Sequence, residues 1–218
     1  MNEHETEPVR GLPELLPAGE TILWQGAPRW GALARRVFHV RKIALYFAIL
    51  LAWLVYADIE DGIAPWSIVQ SSLWVIGGAA VVIAILSILA WLTARSAIFT
   101  ITTRRVVMRF GVAFPVTFNL PFRRIRSAGL RRYGDGSGDI PLALFADDRI
   151  AYLVLWPYAR PWRFSQAEPM LRGLQDAGQV AEILAGALAA DMATRTPVTQ
   201  TASDTAAAAK PSSQAAAE

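Results

Sequence analysis

The chain has 218 residues, 54% of them apolar, and a formal charge of +3 carried by arginine, since lysine occurs only at Lys42 and Lys210. It has no cysteine, and histidine only at His4 and His39, which excludes disulfides, thiolate metal sites and cysteine nucleophiles and argues against a His-based metal centre or a Ser-His triad. The start, "MNEHETEPVRGLPELLP", is acidic and proline-broken, without the basic head and apolar core of a signal peptide.

Residues 1–18 read as a flexible N-terminal segment. In "GETILWQGAPRW" (Gly19–Trp30), Thr21, Leu23 and Gln25 alternate with Ile22 and Trp24 before Gly26 and Pro28, so residues 19–42 are expected to be one short strand, a turn and a basic juxtamembrane segment. Two hydrophobic blocks follow and define a membrane segment over 43–94. The first, Ile43–Ile59, is near the lower limit for crossing a hydrocarbon core of about 30 Å. The second, Trp66–Ala94, is ample and contains no charge. A buried core helix is the alternative for either block, though so long an uncharged run would need cover on every side. Gly62 and Pro65 suit a turn between the two. Arg29, Arg35, Arg36, Arg41 and Lys42 precede the first span, and Arg95, Arg104, Arg105 and Arg109 follow the second, whereas the connecting loop holds Asp58, Glu60 and Asp61. The positive-inside rule then puts both termini in the cytoplasm.

After the spans the period falls to two. Phe99 and Ile101, then Val106, Met108 and Phe110, then Val116, Phe118 and Leu120 form apolar faces, with Val107 among the residues assigned to the opposite face. Further strands are expected near Ser127–Arg132, Ile140–Phe145 and Ile150–Trp156, with "GDGSG" (Gly134–Gly138) as a turn and "ADDR" (146–149) as a hairpin turn. In "GQVAEILAGALAADM", Val180, Ile183, Leu184, Ala187 and Leu188 share one helical face that should pack on the sheet. Residues 191–218 read as a disordered tail, being Ala, Thr, Ser, Gln and Pro without pattern from Ala193 onward. The fold class expected is a membrane α-helical hairpin plus a cytoplasmic α+β domain over 95–190, an antiparallel barrel or sandwich capped by one C-terminal helix. This strand-then-helix order is that of a pleckstrin-homology (PH)-like barrel, among other folds.

"GETILWQGAPRW", the hairpin and "FTITTRRVVMRFG" in that order resemble the bacterial membrane-anchored PH-domain proteins, where a W-x-G-x-P segment precedes the hairpin and a T-x-T-x-x-R-V strand pair opens the domain. More narrowly, "LARRVFHVRKIALYF" and "VTFNLPFRRI" resemble photosynthetic-complex assembly proteins of purple bacteria. The resemblance covers about Leu16–Leu188. It implies a non-enzymatic, multi-pass protein of the inner (intracytoplasmic) membrane. Its implied partners are reaction-centre and core light-harvesting subunits or other assembly factors. It implies no cofactor.

Candidate contact residues for partners or lipid are Arg104, Arg105, Arg123, Arg124 and Arg126, with the aromatic turn residues Trp156, Tyr158 and Trp162; Arg35, Arg36, Arg41, Lys42 and Arg95 are the membrane-flanking bases. The arginines read equally as solvated residues near a bilayer or as forks for lipid phosphates or an acidic protein surface. A general PH-like membrane protein that binds lipid headgroups or acts in envelope stress is therefore the rival function. In a PH-like fold the basic loops of the open end are the implied contact surface. Nucleic acid is a poor candidate, because no binding motif accompanies the bases. His39 lies among charges outside the span, which disfavours pigment ligation and suits an interfacial residue. Gly77, Gly78, Ala79 and Ala80 give a weak signal for a homodimer. Asp135, Asp139, Asp147 and Asp148 have no His or Cys to work with, and "GDGSG" lacks the lysine and helix of a phosphate loop.

Overall fold

The computed structural model describes residues 11, 12, 14–145 and 150–195. The expected "ADDR" turn, including Asp147 and Asp148, lies outside them, as do residues 1–10 with His4 and the tail beyond Arg195. Before the hairpin come β1 (Ile22–Gly26) and α1 (Trp30–Arg36), and the hairpin itself is α2 (Val40–Glu60) and α3 (Pro65–Ser96). After it come β2 (Ile98–Thr102), β3 (Arg105–Phe110), β4 (Val116–Pro121), a 3-10 turn (Phe122–Arg124), β5 (Ile125–Ala128), β6 (Arg131–Arg132) and β7 (Ser137–Leu144). The short α4 (Tyr152–Leu155), β8 (Met170–Gln175) and α5 (Ala177–Arg195) complete the order.

Apolar surface left in water costs about 25 cal/mol per Å². Helix α2 buries no residue and α3 only Ala90, Thr93 and Ala94 near its end, with mean hydropathies of 1.8 and 2.6. Helices this long and this apolar on their exposed faces take lipid as their solvent. The turn between them uses Gly62 at φ 68° and Pro65 in the first turn of α3, where its missing N–H is no loss. Ser71 donates to Asp58 at 3.0 Å, tying the two helices together at that end.

The domain forms around the hairpin rather than after it. Strand β1 is antiparallel to β2, and the first sheet runs β1-β2-β3-β4. The segment before the hairpin thus supplies an edge strand, with Gln25 donating to Thr100 at 2.9 Å. The expected alternation holds: Phe99, Ile101, Val106, Met108 and Phe110 are all buried. Val107, assigned to the outer face, is buried as well (2% exposed), because β3 is a central strand covered on both faces. In the second sheet β5 and β6 run along one edge of β7 and β8 along the other. Helix α5 buries Ala177, Val180, Leu184 and Ala187, with Ile183 and Leu188 half-buried beside them.

Three expectations are corrected. Ile150–Trp156 is not a strand but contains one helical turn, α4. Pro157 and Pro161 have no N–H to donate to a ladder, and only Leu155 of this turn enters the core while Leu153 and Val154 stay exposed. The ladder edge is taken instead by β8, whose apolar alternation is masked by Arg172 and Gly173. The helix also runs on to Arg195, five residues into the expected tail, closed by an Asp191–Arg195 ion pair one turn apart. Near the N-terminus, Gly11 and Leu12 are buried rather than loose, and a Cβ on Gly11 would lie 2.7 Å from Ile98.

Strand register fixes which end of the first sheet faces the hairpin. Only Ala97 separates α3 from β2, and Ile98 opposes Arg109, so Phe110 and the turn 111–115 extend past Ile98 on the α3 side. The Thr102–Arg105 turn and the 3-10 turn lie at the other end, where the Phe122 N–H donates to the Arg104 carbonyl at 3.1 Å.

Candidate functional site

Helix α1 is the wedge that joins domain to hairpin. Ala32, Leu33 and Ala34 are buried, and α1 packs against both α3 and β8. The close approach to β8 needs Gly173: its φ is 65°, and a Cβ there would lie 3.3 Å from the Ala32 side chain. The Arg29 N–H donates to the Gly173 carbonyl at 2.9 Å. On the other side of the same residue, the Gly173 N–H donates to Asp139 Oδ1 at 2.8 Å, while Tyr133 donates its hydroxyl to Oδ2 at 2.7 Å. Asp139, only 2% exposed, thereby fixes two partners at once.

Around this carboxylate the chain gathers arginines. Arg172 is buried at 8% exposure and donates to the Pro157 carbonyl at 2.9 Å. Burial pushes its pKa down and the Asp139 charge pulls it back. The Arg36 guanidinium carbon lies 3.4 Å from the centre of the Tyr133 ring and that of Arg131 5.4 Å, both within cation–π range. Burial and the Asp139 bond raise the Tyr133 hydroxyl above its ordinary range. Asp135 receives the Ser137 hydroxyl at 2.6 Å, Arg36 at 2.7 Å and Arg35 at 3.1 Å, and the Ser137 and Arg36 contacts hold it well below the usual carboxylate range. Arg160 pairs with the buried Glu168 at 2.7 Å.

The result is an open cleft of about 840 Å³. Arg35, Arg36, His39 and Lys42 come from α1, the connector after it and the start of α2, and Arg131, Tyr133 and Asp139 from β6, the residue following it and β7. Arg160, Trp162, Glu168 and Arg172 come from the segment leading into β8. Six cationic side chains face two carboxylates. An arginine-rich cavity of this kind can bind an anion, and the planar forks favour phosphate or carboxylate. A smaller hollow of about 390 Å³ on the far side of α1 is lined by Arg29, Trp30, Arg35, Trp91 and Arg95, with Arg95 over the Trp91 ring at 5.4 Å.

Most of the expected contact residues lie elsewhere. Arg104, Arg123 and Arg124 are exposed at the end of the first sheet away from α3, with exposed Arg126 just beyond the 3-10 turn. Arg105 is committed to a two-pronged pair with Glu20 at 2.7 and 3.0 Å, and the Glu20 side chain is 2% exposed. Tyr158 cannot serve as a contact residue. It is fully buried, 5.2 Å from Phe99 and 4.8 Å from Phe110 between ring centres, and its hydroxyl donates to the Thr93 carbonyl of α3 at 3.2 Å. Trp156 is half-exposed and edge-on to Phe38 at 5.9 Å, and Trp162 is 86% exposed. Of the membrane-flanking bases, Arg35, Arg36 and Lys42 line the cleft, while Arg41 is exposed on the first turn of α2. His39 sits in the left-handed region (φ 51°) between α1 and α2 and lines the cleft.

Sequence reading missed Arg131, Tyr133, Asp139, Arg160, Glu168 and Arg172 as a group. They reach the cleft through long-range pairing of β7 with β6 and β8, which local periodicity does not report. One signal was present: an arginine beside a glycine inside the apolar run "MLRGL" marks a buried charge next to a close approach.

The family described as Bacterial PH domain matches residues 46–188. A protein of Rhodobacter capsulatus called "Uncharacterized 23.7 kDa protein in puhA 5'region" is 38% identical over 195 residues, covering 88% of this chain and 91% of the relative. No solved structure matches.

Proposed function

The chain belongs to the bacterial PH domain family, and from that premise we propose that it is a non-enzymatic assembly factor for the photosynthetic reaction-centre and core light-harvesting complex. In this reading it is a multi-pass protein of the inner, intracytoplasmic membrane with both termini in the cytoplasm. Its domain holds partner subunits, or other assembly factors, at the bilayer surface. The relative whose name places it in the puhA 5' region supports the link to photosynthesis, and the motifs that resemble the PuhB assembly protein of purple bacteria support the finer role.

The observation that carries the reading is the closure of the domain around its own anchor. Strand β1 and helix α1 precede the hairpin, the rest follows it, and the two halves are joined by the β1–β2 ladder and by α1 packed between α3 and β8. Both ends of the hairpin enter one folded body, which would set the domain's height and orientation at a bilayer. A platform held this way suits docking to clients embedded in the same bilayer, where a flexible tether would leave orientation to chance. The exposed arginines Arg104, Arg123, Arg124 and Arg126 would meet the cytoplasmic ends of those clients.

A strain lacking the protein should accumulate less reaction-centre and core-antenna complex, while the complex that forms keeps normal absorption and charge separation. Tagged protein purified in mild detergent should carry those subunits. Normal complex abundance in the deletion strain overturns the proposal and favours a general headgroup-binding or envelope-stress role. A reporter active only in the periplasm should work when fused at Gly62 and stay silent at Glu218; the reverse pattern would overturn the orientation.

A further inference from the structure

The resemblance directs attention to loop arginines that lie at the end of the first sheet away from α3, whereas the cationic cleft is at the hairpin end. We propose that this cleft holds the phosphate group of an anionic membrane lipid taken from the leaflet at the Lys42–Arg95 end of the hairpin.

Three observations converge on that ligand. The first is charge: Lys42 and Arg131 form no ion pair among the described residues, Arg35 and Arg36 share the single carboxylate Asp135, and Arg172 lies buried at the floor beside Asp139. A phosphate accepts several such donors at once.

The second is depth. Lys42 is in the first turn of α2 and His39 immediately precedes that helix, so this wall of the cleft stands where the span enters the bilayer, at headgroup level.

The third is the rim. Trp162 lines the cleft at 86% exposure, and Leu153, Trp156 and Phe164 are exposed on the same segment at 85%, 51% and 63%. That segment is tied to both ends of the hairpin, through Trp156 on Phe38 in the connector just before α2 and the Tyr158 hydroxyl on Thr93 in the last turn of α3. The turn 111–115 adds exposed Val112 and Phe114 at the hairpin end of the sheet. Aromatic side chains at this depth belong among the glycerol and upper acyl groups. A soluble phosphate would satisfy the charges and leave this apolar rim in water. A lipid satisfies both.

The test uses the full chain released from nanodiscs of mixed phosphatidylcholine and phosphatidylglycerol, with retained lipid read by native mass spectrometry. Phosphatidylglycerol should be retained in preference to phosphatidylcholine. The double variant Lys42→Glu/Arg131→Glu should lower its retention about tenfold or more. Lys42→Gln/Arg131→Gln should give a smaller loss at an unchanged melting temperature, which separates lost binding from lost fold. Arg104→Glu/Arg126→Glu, at the other end, should retain lipid as the parent does. Excess glycerol phosphate should not displace the lipid.

Equal retention of phosphatidylcholine would overturn the proposal, as would indifference to both cleft variants. Displacement by inorganic or glycerol phosphate would show a soluble-phosphate site, and displacement by an acidic peptide would show a protein-docking site; either result also overturns it. None of these readings depends on complex abundance in cells, so failure here leaves the assembly function standing.

Discussion

The molecule has two basic regions built in opposite ways. At the hairpin end, Arg36, Arg131 and Arg172 are held by Tyr133, Asp135, Asp139 and the Pro157 carbonyl around a cavity. At the other end, Arg104, Arg123 and Arg126 are exposed on turns and a strand edge, while Arg105 is fixed by Glu20. The first arrangement orients donors before any ligand arrives, and the second leaves long side chains to pay their own ordering entropy. Both contain arginines close in sequence to a span, so proximity along the chain does not by itself report proximity to the bilayer.

The largest expected effect comes from removing the carboxylate that organises the cleft. Asp139→Ala leaves the buried Arg172 charge uncompensated and strips the Gly173 N–H and Tyr133 hydroxyl of their acceptor. Thermal or denaturant unfolding of the full chain in detergent should show a loss of about 3–5 kcal/mol. A loss below about 1 kcal/mol would mean that the cleft is not a preorganised unit.

At the other end the Glu20–Arg105 pair should contribute less. Burial opposes ionisation of Glu20, but hydrogen bonds from Arg105 and Thr102 and the charges of Arg105 and Arg104 outweigh it, so its pKa lies below the ordinary 4.5. A depressed carboxylate stabilises the fold above pH 4.5 and loses that contribution as pH falls through the folded value. Glu20→Gln should therefore cost about 2 kcal/mol at neutral pH. It should also flatten the decline of melting temperature below pH 4.5; an unchanged acid slope would show that other carboxylates control it. The smallest effect is expected where nothing is held: Arg123→Glu with Arg126→Glu should shift stability by no more than about 0.5 kcal/mol, read by the same melts.

The period-two strands and the hairpin were legible because each is a local pattern. Phe99, Val106, Met108 and Phe110 alternate into the core as their spacing requires, and Gly62 and Pro65 mark the turn between the spans. Strand β8 and α4 were not legible, because Arg172 and Gly173 break the alternation of one and Pro157 ends the other. The candidate site was legible only in its first wall, Arg35, Arg36 and Lys42, which charge bias at a membrane flank picks out. Its other wall depends on which strand edge β7 presents to β6 and β8. Tyr158 misled for a related reason: an aromatic in a proline-rich turn looks exposed until the Phe99–Phe110 core is seen to close over it.

With lipid in the cleft, the hairpin end of the domain and its aromatic rim should sit at the bilayer while the loop arginines stand away from it. The chain lacks cysteine, so single spin labels can be placed cleanly at Trp162→Cys and Arg123→Cys in the full protein in nanodiscs, and their access to membrane-dissolved oxygen compared with access to an aqueous nickel chelate. The label at position 162 should favour oxygen and that at 123 the nickel chelate. Two labels that both favour the nickel chelate, or the reverse ordering, would show that the cleft does not face the bilayer.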